Sequence, residues 1–508
     1  MSRTKKASIN IITSALLEII SMLSGLILPR YILQYFGSSY NGIVSSATQF
    51  LGMIQILTLG VTASTRVALY KTLSENDNAG TSAIVRATER YMRKIALILG
   101  IYIIVLSLVY PLVVHTGFSY VDVSILILIV GVSSFAEYFF GVTYQTFLLA
   151  DQSVYISNIF SCIAAILNLF LSVFLIVSGF SIYIVKLVSA FVYVLRPLLQ
   201  NIYVTRKYKL DKHCKPDMSA LSRRGNAMMH ALANIVHDNT DIIVLTIFTN
   251  IKIVSVYTVY NMVMSALKKI QTIFTKGTEP IFGSMWASGE KEKIKKNLSV
   301  FELFVNAFNS IAFGIAMVMV LPFVSLYVPQ NVTDINYLQP SYAVLISLAF
   351  ATQGIRVPYL ALVQGIGHYK ETRNAAIMEA TLNLLISVVL VNIIGLEGVA
   401  IGTLVANLYR TVSYALYIDN NVVKRGRSLV FKKIIWTFSC MAIIVIPSFI
   451  VLRKIGIASW VQWVGISVVV GVYACVVVLI AALIFYKEDL KYAICVIKSM
   501  ISRKGHRY

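Results

Sequence analysis

The chain has 508 residues, of which 58% are hydrophobic and only 13% charged, with a mean hydropathy of +0.78. A soluble domain of ordinary composition is far less apolar, so the sequence describes a polytopic membrane protein. A net charge of +22 would suit a nucleic-acid binder, but the 44 lysines and arginines are spread over alternate loops rather than gathered in one patch, which sets nucleic acid aside as a partner.

Segments of about 20 apolar residues, enough to cross a hydrocarbon core of roughly 30 Å, recur from Ile9 to Tyr486, about fourteen in all. Six are expected at about 9–34, 41–70, 91–114, 121–149, 153–178 and 181–204, followed by a basic linker. Six more are expected at about 225–249, 253–286, 298–327, 340–366, 373–394 and 397–419, then a pair at about 432–452 and 458–486. The expected fold is all-α, with about 14 membrane helices. An N-lobe covers 1–204, the linker 205–224, a C-lobe 225–420, and a terminal pair with its tail 421–508.

If Arg3, Lys5 and Lys6 are cytoplasmic, every strongly basic loop falls on that side: Lys71 to Lys94, Arg206 to Arg224, Lys291 to Lys296, Lys370 to Arg373, Lys424 to Lys433, and the tail from Lys487. The opposite loops carry only Lys252, Arg453 and Lys454. That asymmetry places both termini in the cytoplasm. The first segment runs on without a small-residue cleavage site and is expected to be a retained helix. Cys162, Cys440, Cys475 and Cys495 fall mostly inside membrane segments and Cys214 in a basic loop, with no CxxC, so neither disulfides nor a metal site is expected. Opposite-side loops are short, the longest being Val328 to Gln339, which argues against an enzyme that must hold an acceptor outside.

Two adjacent segments carry polar stripes. In segment 7, Asn226, His230, Asn234, His237 and Asp241 share one helical face, and in segment 8 Tyr257, Asn261, Met264, Lys268, Gln271, Thr275 and Glu279 do the same. A charge at the bilayer centre costs roughly 2.5 to 3.5 kcal/mol, so such stripes should turn to a bundle interior or a wet central cavity. Segments one to six and seven to twelve align at a displacement of about 213 to 215 residues. Thr48 then falls on Asn261, Gln55 on Lys268, Arg66 on Glu279, Glu89 on Glu302, Tyr144 on Tyr359, Asn168 on Asn383 and Arg196 on Arg410. Six being even, the halves would share one orientation as parallel repeats.

The run from Tyr35 to Lys71 contains an aromatic-Gly turn (Phe36, Gly37), a Tyr-Asn-Gly start (Tyr40 to Gly42), and a late Gly60 leading through small residues to Arg66. This pattern, with six plus six helices and an added pair, resembles the polysaccharide-unit (Wzx-type) flippases of the multidrug/oligosaccharidyl-lipid/polysaccharide (MOP) exporter superfamily over nearly the whole chain. The resemblance implies a multi-pass protein of a bacterial inner membrane. Its substrate would be a polyprenyl-pyrophosphate-linked oligosaccharide for O-antigen or capsule, and its partners membrane lipid and polysaccharide assembly proteins. It implies no cofactor. Related lipid-precursor flippases place basic residues on segments 1, 2 and 8, where this chain has Arg30, Arg66 and Lys268.

A pyrophosphate needs several fixed donors, for which Arg30, Arg66, Arg196, Lys268, Arg356 and Arg410 are candidates, joined by Tyr257, Asn261 and Gln271 on the segment 8 stripe. Lys186 and Lys276 read equally as helix-end residues whose ammonium groups reach the headgroups. Glu18, Glu137, Asp238, Asp241 and Glu379 read first as ion-pair partners within the bundle. His237, Asp238 and Asp241, with Glu18 and Glu137, are also candidates for coupling to H+ or Na+. No glycine-rich loop ending in GK[ST] occurs, so a gradient rather than ATP is expected to drive flux. Arg66 and Glu279, repeat-related, are candidates for an inner gate; the bland alternative is that each meets solvent at its helix end. An ion-coupled drug exporter of the same fold and a membrane glycan polymerase or ligase are the rival functions.

Overall fold

The structure is a computed structural model and describes residues 3–114, 116–211, 213–221, 226–453, 455–492 and 494. Residues 222–225 of the basic linker, Lys454, the tail from 495 with Cys495, and the side chain of Asn226 lie outside the described residues.

The described residues form α-helices and short helical turns without a strand. Eleven of the helices are long and apolar enough to cross a membrane. One of these, Ser8–Ser74, holds two passes. The first belongs to α1 (Arg3–Gly52), which is broken at Gly37, where φ of +81° marks the left-handed region that the aromatic-Gly turn requires. Two further helices, α9 (Ile251–Ala287) and α14 (Leu396–Asn421), are long enough to cross but less apolar, because they carry the polar and charged stripe residues. With these counted, the described helices supply between eleven and fourteen membrane-length segments, in line with the about fourteen expected from the sequence.

By their contacts the helices divide into two compact units: Met1–Thr258 with Val328–Ile335, and Val259–Tyr327 with Asn336–Tyr508. The first contains α1, a 3-10 turn at Met53–Thr58, α2 (Leu59–Ser74), α3 (Asn78–Val113), α4 (Tyr120–Ala136), a π turn at Glu137–Gly141, α5 (Val142–Ala150), α6 (Val154–Val177), α7 (Ile182–Lys207) and α8 (Asn226–Phe248). The second contains most of α9, then α10 (Lys291–Tyr327), α11 (Pro340–Ile355), α12 (Val357–Ile366), α13 (Tyr369–Ile394), α14, α15 (Arg427–Leu452) and α16 (Trp460–Phe485).

Two sequence expectations change. Segment 2 is not one helix, since the 3-10 turn interrupts it between α1 and α2 and leaves Gln55 exposed. Nor is the basic stretch up to Lys94 a loop. Asp77 caps α3 by accepting a hydrogen bond from the Gly80 amide at 2.9 Å, and the helix starts at Asn78, so Arg86, Arg90, Arg93 and Lys94 already lie on the helix. An apolarity scan sees only the membrane part of such a helix.

Repeat-related positions play the same structural parts in each half. The fourth pass breaks at Glu137–Gly141 and the tenth between Ile355 and Val357. Tyr144 and Tyr359 are both buried just beyond the break. Buried Asn168 accepts from Ser172 Oγ at 3.2 Å, and buried Asn383 from Ser387 Oγ at 3.0 Å. Glu89 and Glu302 are both buried and ion-paired within their own units.

Candidate functional site

In the second unit, α9, α11, α12 and the start of α13 enclose a polar cleft of about 370 Å³. Its α9 wall is the sequence-derived stripe: Lys268, Gln271, Thr275 and Glu279, with Thr272 and Lys276 beside them. The opposite wall exists because the tenth pass breaks. Pro358, near the start of α12, has no N–H to return to the Gly354 carbonyl, so the helix yields there and brings Gln353 and Arg356 to the cleft.

Glycines let the walls close. A Cβ on Gly354 would lie 2.1 Å from Gln271 Nε2 and 2.3 Å from Asn309 Oδ1, the space in which Gln271 donates to Asn309 at 2.8 Å. At the Glu279 end, a Cβ on Gly365 would lie 2.5 Å from the Glu279 carbonyl, and one on Gly283 2.9 Å from the Gly365 carbonyl. The backbones of α9 and α12 therefore touch without side chains between them.

Arg356 lines the cleft yet is only 4% exposed, and its guanidinium is ion-paired to Glu379. The other oxygen of Glu379 takes Arg410, which is 1% exposed and donates to Tyr414 Oη at 3.1 Å. Two guanidiniums on one carboxylate leave this buried cluster net positive at the cleft wall, with the Lys268 and Lys276 side chains alongside. Such an arrangement favours an anion and disfavours a cation.

Of the sequence-derived candidates, Lys268, Gln271, Arg356 and Glu279 thus converge. Tyr257 and Asn261 lie further along α9, outside the cleft lining. Arg410 shares the Glu379 carboxylate with Arg356 and offers almost no surface of its own. In the first unit Arg196 forms an ion pair with Glu137 at the π turn, both about a quarter exposed. Arg30 and Arg66 are half-buried, and Glu18 is exposed on α1. The His237, Asp238, Asp241 group is divided: His237 and Asp241 are buried, Tyr257 Oη lies 3.3 Å from Asp241 Oδ2, and Asp238 is exposed one residue away on the helix. Among the described residues no group of three or more His, Cys, Asp or Glu is placed to hold a metal ion.

One charged cluster was not foreseen. Glu302 receives Arg425 at 2.7 Å and Lys433, and Asp419 receives Arg425 at 2.7 Å, tying α10 and α14 to the loop before α15 and to α15 itself. Burial pulls the Arg425 guanidinium down, but the Glu302 and Asp419 carboxylates outweigh it and hold it above its usual range. The one trace in the sequence was the alignment of Glu89 on Glu302, which paired two acids by position and indicated neither their burial nor their partners.

No family model matches the sequence, and no curated protein matches it. Solved structures do match in fold. Lipid II flippase MurJ in an inward closed conformation aligns with a TM-score of 0.64 at 14% identity, covering 94% of this chain and all of that one (100%). The fold is that of the MOP-superfamily transporters. A eukaryotic MATE transporter, AtDTX14, aligns at 0.59 and 14% identity over 85% of this chain and 99% of its own. A MOP transporter from Pyrococcus furiosus aligns at 0.54 and 15% over 84% and 98%. At such identities the likeness is one of fold, and this chain's chemistry has to be read from its own cleft.

Proposed function

We propose that the chain is a flippase that carries a polyprenyl-pyrophosphate-linked oligosaccharide across the cytoplasmic membrane of a bacterium by alternating access, with both termini in the cytoplasm. One observation carries this: α9 borders two chemically opposite recesses. Beside the cationic cleft, an apolar groove of about 540 Å³ runs between α9, α10 and α16, lined by Ile281, Phe282, Phe301, Phe304, Val478 and Ala482. A lipid-linked anion has one part for each. The pyrophosphate would meet Lys268, Lys276 and Arg356, with Gln271 and the threonines bonding sugar hydroxyls, while hydrocarbon lies along the groove.

Because Arg356 is already locked by Glu379, it loses little conformational freedom when a phosphate arrives. A drug exporter selecting cationic compounds would find this cleft electrostatically hostile, which favours the flippase over that rival. The MurJ structure, described as a lipid II flippase, also covers more of this chain than the MATE structures do. His237 and Asp241 are the proposed coupling groups for H+ or Na+, and proteins that polymerise or ligate the exported unit are the proposed partners.

The test is where the lipid-linked unit stays when the protein is depleted. Accumulation of single units shielded from a membrane-impermeant oxidant, and their release by the wild-type chain but not by Lys268→Glu, supports the flippase. Units that reach the outer leaflet normally but remain unpolymerised would instead identify a polymerase or ligase.

A further inference from the structure

A second basic recess lies in the first unit and is lined by none of the residues of the polar cleft. Arg86, Arg90, Arg93 and Lys94 of α3 face His213 and Cys214 of the linker across a cleft of about 520 Å³. It is built rather than casual. The linker wall is held at both ends against the first turns of α3: the Asp211 amide donates to Ser82 Oγ at 3.1 Å and the Asp217 amide to the Ala83 carbonyl at 3.1 Å. Buried Glu89 receives Arg86 at 2.9 Å and Arg93 at 2.5 Å, which fixes these two guanidiniums. Arg93 also lies over the Phe139 ring, 5.2 Å from its centroid. Arg90 and Lys94 are exposed. The described lining holds these four cations and no carboxylate, with Glu89 behind two of them and Asp211 and Asp217 at the ends of the linker wall, so the recess is basic.

The residues beyond these cations on α3 identify the ligand. On the same line of the helix, at steps of 4, 4, 3, 4, 3 and 4 from Arg86, come Arg90, Lys94, Leu97, Ile101, Ile104 and Leu108. The last four are exposed, by 50 to 65%. From Leu97 to Leu108 the helix rises about 16 Å, close to half of a hydrocarbon core roughly 30 Å thick. The line therefore changes from cationic to apolar once, where headgroups give way to acyl chains, and its apolar part is one leaflet long. A free phosphate would use only the first part.

We infer that this recess binds an anionic glycerophospholipid of the phosphatidylglycerol or cardiolipin class, its phosphate held by Arg86, Arg90, Arg93 and Lys94 and one acyl chain lying along Leu97 to Leu108. The site is separate from the proposed transport cleft, and the lipid is a resident ligand rather than the cargo. Bridging α3 to the linker, it fastens the linker's wall to the membrane face.

The full-length protein in mild detergent, titrated with fluorescent phosphatidylglycerol, tests this. Each interfacial basic residue contributes roughly a kilocalorie, so Arg90→Gln with Lys94→Gln should weaken binding about 30-fold, and the Glu double variant should weaken it further. The charge-matched control Lys296→Gln with Lys432→Gln, exposed basic residues of the second unit, should bind as the wild type does. Phosphatidylcholine should bind far more weakly, and millimolar inorganic pyrophosphate should not displace the lipid. Wild-type affinity in the double variants, equal affinity for phosphatidylcholine, or displacement by pyrophosphate alone would each overturn the proposal. The Gln pair keeps the test open if the Glu pair does not fold.

Discussion

In the first half of the chain Arg196 meets Glu137 with both side chains about a quarter exposed; its counterpart in the second half, Arg410, is 1% exposed and shares Glu379 with a second arginine. The same contrast holds one layer away. Glu89 pairs with arginines that are 34% and 43% exposed, whereas Glu302 pairs with Arg425 and Lys433 at 4% and 5%. Both halves keep the helix break, the buried tyrosine and the Asn–Ser bond, so those features belong to the scaffold. Among these described pairs the deep cations belong to the second half, and one of them, Arg356, lines the polar cleft. Repetition supplied a frame on which a site was built once.

The comparison breaks most visibly if the deep carboxylates are removed. Glu379→Ala leaves two buried guanidiniums without their shared partner and should cost about 3 to 5 kcal/mol, read as a large loss of thermal stability in detergent. Glu137→Ala, in a pair about a quarter exposed, should cost about 1 kcal/mol or less. Equal losses would mean that the two arginine sites are equivalent after all. Next, Gly354→Ala pushes into the Gln271–Asn309 bond and should cost about 1 to 3 kcal/mol, together with most of the transport rate in reconstituted vesicles. Lys268→Gln writes into the second half the residue that the first half has at Gln55. It should lower transport of a pyrophosphate-linked lipid about tenfold, by loss of roughly one charge-assisted bond, while stability stays within about 0.5 kcal/mol. Unchanged transport would remove Lys268 from the site. The smallest expected difference is between Asn168→Ala and Asn383→Ala. Each removes the acceptor of a buried serine hydroxyl, and Asn168 also donates weakly to Tyr193 Oη at 3.4 Å, so both should cost about 1 to 2 kcal/mol, and a large inequality would argue against a shared scaffold role.

Much of this was legible in the sequence, because in lipid an apolar run and a helix are nearly the same thing. The passes and the α9 stripe follow from apolar runs and spacing, the Gly37 turn belonged to the pattern behind the family resemblance, and the stripe supplies one whole wall of the cleft. The opposite wall did not follow. Pro358 marked a bend, but only the packed structure shows that the bend delivers Arg356 to the cleft and that Arg410 stands behind it. Single-residue periodicity cannot tell a cation that faces a recess from one that neutralises a buried acid. The 3-10 turn at Met53–Thr58 left no mark either, since MIQILT reads as ordinary apolar helix.

The crossing of Gly283 and Gly365 has a mechanical consequence. Where two backbones abut with no side chain between them, sliding either helix drives peptide groups into each other, whereas turning about the point of contact disturbs almost nothing. The α9–α12 crossing at the Glu279 end of the cleft is thus stiff to translation and compliant to tilt.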